Sequence, residues 1–289
     1  MQPEVPPMSV IVIGYRNADT IVRAVRSVAD QSDAGVEIVV VTSGADDSAA
    51  LVRAAFPAVR VVESEIRLSP GGARNAGIET TTGLVVAFLA ADCMAEPGWI
   101  AARRCLHDAG HPVVASAVTN GDRRHLAAWG FHFGVFGDRL AGRRSGPVTG
   151  TDGAAHGCSY ARAVLEQLGR FDESVRIGED TNASVALDRL GVPIWYAPAV
   201  RTAHWGPASM AALVQERYRR GCIRGRIRGP VAPDWIGVAG IWLRMLTRLP
   251  KVWRDAGGDR WWVVASLPWS IVGNAASLIG NQRAGRVGR

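Results

Sequence analysis

The chain has 289 residues, of which 48% are hydrophobic and 20% charged, with a formal net charge of +7. That composition excludes a disordered tail protein and a disulfide-stapled miniprotein, and it supplies enough apolar material for one large domain or two small ones. The charge is uneven: Arg201 to Arg289 hold 15 basic and 4 acidic residues, a net of +11, whereas residues 1–200 hold 18 and 22, a net of −4. Cys93, Cys105, Cys158 and Cys222 form no Cys-x-x-Cys clip, so no zinc knuckle or thioredoxin motif is expected and a reducing cytosol fits. No basic residue precedes Arg16, and Val10 to Ile13 is too short an apolar run for a signal peptide, so none is expected.

In chain order, Val10-Ile11-Val12-Ile13 predicts a buried strand. Asp19 is placed to cap a helix whose Ile21, Ala24, Val25 and Val28 share one face. Ile38 to Val41 predicts a second strand and Val59 to Val62 a third, with a helix from Ser48 to Phe56 between them. A glycine-rich helix is expected from Gly71 to Thr81, then a strand from Leu84 to Leu89. Strands alternating with helices in this way imply a parallel sheet with right-handed crossovers, and ligands beyond the carboxyl ends of its strands. From Gly110 to Thr151 the pattern is irregular; from Ala154 to His204 short strands and helices return, and a boundary is expected near residue 208.

Three places carry candidate chemistry. Asp92 follows the apolar run that ends at Leu89; it reads either as a ligand for a divalent metal holding a diphosphate or as the cap of a helix beginning near Pro97. Glu179 and Asp180 open an amphipathic helix, where they either complement the helix dipole or supply a general base. Pro70 to Gly77 sets two glycines and Arg74 at a helix start, a place suited to phosphate or a nucleobase edge, although it is neither a Walker loop nor the dinucleotide fingerprint. His204 reads as a structural histidine or a ligand.

Taken together, these stretches resemble the family 2 glycosyltransferases. The resemblance extends from Ser9 to about His204, about two thirds of the chain, and is carried by Ser9 to Asn17, Ala73 to Gly77, Ala87 to Asp92, Gly169 to Glu173 and Gly178 to Thr181. It implies an α/β protein of the GT-A type: a Rossmann-like, mostly parallel sheet flanked by helices, with a C-terminal helical tail that is basic and apolar. It also implies an enzyme moving a sugar from a nucleotide-diphospho-sugar donor to an acceptor hydroxyl, metal-assisted and inverting. Under the resemblance Gly14, Tyr15, Thr42, Ser43, Arg74 and Asp92 meet the donor. Asp92 and His204 hold manganese or magnesium, and Asp180, with Glu179 beside it, is the base. Two positions depart from the family pattern: Ala90 stands where an aspartate is usual, and Val41-Thr42-Ser43-Gly44 lacks the aspartates that read the nucleobase, with Asp46 and Asp47 only further on.

The tail, residues 209–289, follows a catalytic domain of residues 1–208. Trp261 to Gly280 is a 20-residue run without charge, long enough to cross a hydrocarbon core, but Pro268 interrupts it and Ser266, Ser270, Asn274 and Ser277 form a polar stripe. A helix of that kind with basic flanks suits a membrane surface, its tryptophans at headgroup depth. Packing on the catalytic domain is the alternative. No nucleic-acid motif is present, and a lipid or glycan acceptor at the inner, cytoplasmic face of a membrane is expected. The rival readings are a non-catalytic sugar-nucleotide-binding or scaffold protein, and a peripheral membrane-binding protein.

Overall fold

The computed structural model describes residues 8–33, 35–155, 157–228 and 235–287. The chain forms two compact units. The first holds the residues up to Ala117 and Arg144–Ala203; the second holds Val118–Arg143 and everything from His204 onward.

In the first unit the strands and helices alternate as the periodicity predicts: β1 (Met8–Tyr15), α1 (Ile21–Ala29), β2 (Val36–Ser43), α2 (Ser48–Ala55), β3 (Arg60–Ser64), α3 (Pro70–Glu79), β4 (Val85–Ala90) and β5 (Cys93–Ala95). Next come α4 (Trp99–Asp108) and β6 (Val113–Asn120), which runs on into the second unit and its α5 (Leu126–Phe136). The chain returns with β7 (Gly146–Val148), β8 (Ser159–Ala161), α6 (Arg162–Leu168), α7 (Glu179–Arg189) and β9 (Ile194–His204). The described strands make a nine-stranded sheet in the order β3-β2-β1-β4-β8-β6-β9-β5, with β7 on β9. The β3-β2-β1-β4 half is parallel, as expected; β8 turns antiparallel to β4 and to β6, and β7 to β9. The chain winds from β1 out to β2 and β3 and then crosses back to β4 on the other side of β1, so the strand order reverses between β1 and β4, the place where ligands of such sheets bind.

The apolar runs are strands because both faces of this sheet are covered: Met8 and Val10 to Val12 are fully buried. The predicted inner face of α1, Ile21, Ala24, Val25 and Val28, is buried too. Asp19 does not cap it; Thr20 stands before the helix, without a side-chain cap bond. The cap that forms is Ser69, whose Oγ accepts the Gly72 N–H at 3.0 Å with Pro70 at the first helical position, so α3 begins one residue before the expected Gly71.

The second unit is helical. To α5 it adds α8 (Met210–Arg228), α9 (Trp235–Asp255), α10 (Arg260–Ala265) and α11 (Leu267–Val287). The expected boundary near residue 208 therefore misses a segment. Residues 127–133 of α5 are buried all round, and a helix apolar on every side needs cover on every side. Trp129, Phe133, Leu140, Val252 and Val263 form one of its cores, with Trp262 stacked on Trp129 at 5.3 Å.

The uncharged run is broken as Pro268 suggested: among the described residues no single helix is long and apolar enough to cross a membrane, and α10 and α11 meet at a 69° bend. The polar stripe points inward. Ser266 and Ser277 are buried, Ser270 Oγ donates to Gly130 O at 3.1 Å, and Asn274 donates to Met245 Sδ at 3.2 Å. Of the tryptophans expected at headgroup depth, Trp262 is packed and Trp261 is exposed.

Helices α8 and α11 touch backbone to backbone. A Cβ on Gly221 would fall 2.0 Å from Ser277 O, and one on Gly225 2.4 Å from Asn281 O. Gly221→Leu should force the pair apart and cost about 3 kcal/mol, the upper end of overpacking. A melt followed by circular dichroism should drop by roughly 5 °C or more; an unchanged melt would mean that this contact does not form.

Candidate active site

Parallel pairing brings the ends of three strands level. Gly14 lies opposite Thr42, Tyr15 opposite Ser43, and Ile13 opposite Ala90. The Ala91 N–H donates to Ile13 O at 2.9 Å, which turns the chain at the end of β4 and leaves Asp92 half-buried beside it. The Cys93 thiol donates to Asp92 Oδ1 at 3.4 Å. Gly98, at φ +83°, precedes α4, so Asp92 is not the cap of that helix and the capping alternative falls away. Ala90 is exposed and brings no second carboxylate.

The nucleobase side differs from expectation. Thr42 and Ser43 are each only 3% exposed; Ser43 Oγ donates to Gly14 O at 3.4 Å, and Thr42 Oγ1 is buried without a partner. Neither hydroxyl offers an open face, because both faces of the sheet are covered where β2 ends. What is exposed is Tyr15, with the Arg67 guanidinium 4.1 Å from its ring centroid. Gly44, at φ +90°, lies under that ring: a Cβ there would sit 2.4 Å from Tyr15 Cε2, so only glycine lets the ring lie down. Arg16 Nε donates to Gly44 O at 2.8 Å and ties the two loops together. Asp46 is a loop brace, accepting the Ala18 N–H at 3.2 Å and the Ser48 hydroxyl at 2.8 Å. Arg67 escaped the sequence reading because a single arginine in an irregular loop has no periodicity to mark it.

Arg74 is ion-paired to Glu179, both side chains well buried. Its guanidinium lies 5.6 Å from the Phe88 ring centroid and 5.4 Å from that of Phe171. Burial pulls its pKa down, but Glu179 and Asp180 outweigh burial and raise it. Arg74 thus meets a carboxylate and two aromatic faces, and Glu179 is held in that pair, because a buried charge needs a partner. Asn75 clamps the same region: its Nδ2 donates to Phe171 O at 3.0 Å and to Glu173 Oε1 at 2.7 Å, and its Oδ1 accepts the Phe171 N–H at 2.9 Å. A Cβ on Gly71 would fall 2.4 Å from Asp172 O. The glycine-rich start of α3 thus lets a loop come close, and that loop leads to α7.

Asp180 is half-buried at the second position of α7, with Oδ1 accepting the Thr181 N–H at 2.8 Å. Beside it, burial first, then Cys158 and Asp180, raise the Tyr160 pKa well above its ordinary value, so that phenol keeps its proton. His204 ends β9 and belongs to the second unit, where its ring lies 5.7 Å from Phe131 in a stack and 4.9 Å from Phe136. There, burial and then the charge of His204 hold His132 down, at about 3.

Several known proteins are similar. The chain is 34% identical over 195 residues to the succinoglycan biosynthesis protein ExoO of Rhizobium meliloti (strain 1021), a match covering 61% of this chain and 54% of that one. It thus spans about half the length of that curated relative. Among solved structures, the mannosyltransferase PcManGT from Pyrobaculum calidifontis, in complex with GDP-Man and Mn2+, superposes at a TM-score of 0.57 with 22% identity, over 98% of this chain and 77% of that one. S. aureus TarS 1-349 in complex with UDP-GlcNAc superposes at 0.56 with 14% identity, over 98% and 91%. At such identities these two speak for the fold alone. Residues 9–169, more than half of the chain and the span that carries β1 to β4 and Asp92, match glycosyl transferase family 2, and the chain belongs to that family.

Proposed function

We propose that the chain transfers a sugar from a nucleotide-diphospho-sugar donor to an acceptor hydroxyl in one inverting displacement. The observation that carries this reading is Arg74: it lies over Phe88 in β4 and is ion-paired to Glu179 in the first turn of α7. It ties Asp180 to the strand that Asp92 follows. In this reading Asp180 takes the proton of the acceptor hydroxyl, Arg74 and Glu179 fix its position, and Tyr15 with Arg67 offers the base an aromatic and cationic face. Ligands named with the neighbours, GDP-Man with Mn2+ in PcManGT and UDP-GlcNAc in TarS, support the class of donor.

The donor set at Asp92 fits a hard divalent cation. It provides carboxylate oxygen, and Ala90 and Ala91 add no other charge, so most remaining ligands would come from the diphosphate and water. When bound, manganese or magnesium would neutralise the departing diphosphate. Calorimetric titration of the full chain with manganese, with and without a nucleoside diphosphate, tests this. Binding should be weak alone and tighter together, with each ligand raising the affinity of the other by one factor. Asp92→Ala should remove the coupling and Cys93→Ala should not; the same titration of His204→Ala checks the ligand implied by the resemblance. Tight metal binding without nucleotide, or coupling that survives Asp92→Ala, would sink the assignment.

The second unit is further proposed to lie against the cytoplasmic face of a membrane. Leu243, Leu246, Trp261, Val264 and Ile279 are more than half exposed while the polar stripe of α11 is turned inward, the reverse of the pattern water favours. Ending the chain near Pro207 would uncover α5, so surface substitutions make the cleaner test. Trp261→Glu with Val264→Glu should instead cut co-sedimentation with anionic liposomes about tenfold; equal sedimentation would mean that these residues do not meet lipid.

A further inference from the structure

Within the second unit lies a cavity of about 280 Å³ whose lining divides in two. One part is apolar: Phe133, Leu249, Val252, Val263 and Leu267. The other carries three guanidiniums, Arg217, Arg224 and Arg248. Arg248 is neutralised by an ion pair to Asp138. Arg217 is not: it is 4% exposed, and its hydrogen bonds go to neutral acceptors, Gly273 O at 3.3 Å and Asn274 Oδ1 at 2.5 Å. Its neighbour on the helix, Glu216, is engaged by Arg219 and Arg220. Burial first, then Arg224 and Arg220, pull the Arg217 pKa down to about 10, against the opposing charge of Glu216. A buried guanidinium whose hydrogen bonds go to neutral acceptors and whose nearest carboxylate is shared with two other arginines is expensive, and here an anion would relieve it. Guanidinium forks match phosphate oxygens, while the apolar lining residues offer cover to an alkyl chain.

We propose that this cavity binds a phosphate-headed amphiphile, with the phosphate on Arg217 and Arg224 and the alkyl chain along Phe133, Leu249 and Val263. The proposal does not depend on the transfer reaction, and its failure would leave that reading intact.

The test is calorimetry on the full chain with octyl phosphate below its micelle concentration, beside octanol, inorganic phosphate and octyltrimethylammonium. Octyl phosphate should bind at least tenfold tighter than any of the other three. Arg224→Gln, at an exposed position, should weaken it about tenfold without moving the melting temperature. Leu249→Trp, which fills the apolar side and keeps every charge, should weaken it by a similar factor, and Arg217→Gln by more. Because Arg217→Gln risks misfolding, the decision rests on the other two variants. Undiminished binding by both would overturn the proposal. So would inorganic phosphate binding as tightly as octyl phosphate, which would make this a free-anion site, or the cationic amphiphile binding as tightly, which would make it a greasy pocket without charge selection.

Discussion

Asp180→Asn is expected to cut sugar transfer by roughly 100-fold or more, as removal of a general base does, while the donor still raises the melting temperature of the variant. The reason is geometric. Asp180 is half-buried in the first turn of α7, and its carboxylate acts on Arg74 together with Glu179, which fixes it beside the pair. Asparagine keeps its size and its bond to the Thr181 N–H but cannot accept the proton. The loss should fall on kcat, with KM for the donor little changed, because the base acts in the transition state and not in donor binding. Unchanged turnover would remove Asp180 from the mechanism. Donor binding by the native chain without any turnover, across acceptors, would instead favour the scaffold rival suggested by Ala90.

Glu179→Ala should lower stability by about 3–5 kcal/mol, because it removes the ion-pair partner of the buried Arg74 guanidinium. In a chain of this size that corresponds to a fall in melting temperature of roughly 10 °C for the first unit. Arg74→Met combined with Glu179→Leu replaces the pair by apolar groups, and it should cost less than Glu179→Ala alone even though it changes two residues. A double variant at least as unstable as Glu179→Ala would mean that the pair stabilises through more than mutual neutralisation. Activity separates this role from a structural one: at a temperature where Glu179→Gln stays folded, a positioning residue should lower kcat through a displaced Asp180 with donor affinity intact.

Much of the first unit was legible in the chain itself. Apolar runs such as Val10 to Ile13 and Ile38 to Val41 are long enough, and β-branched enough, to be strands buried on both faces, and a parallel sheet follows from their alternation with helices. The loops at the carboxyl ends, with Tyr15 and Asp92, followed from that topology. Local pattern also marked Glu179 and Asp180 as the opening of α7 and Pro268 as a break in the uncharged run. What only the tertiary structure decided is which groups meet across the chain. Arg74 and Glu179 are far apart in sequence and carry no local signal for each other, so their ion pair is a product of packing alone. Thr42 and Ser43 read as available hydroxyls until cover on both faces of the sheet buried them. The polar stripe of α11 read as a wet face, yet it turns inward, because Arg217 and Met245 supply its partners within the helical unit. The split of the chain has the same cause: α5 sits in an irregular stretch, and being apolar all round it finds much of its cover among helices that come far later in the chain. Sequence periodicity reports the direction in which a residue must be covered; it is silent on what does the covering, and that choice is made by packing.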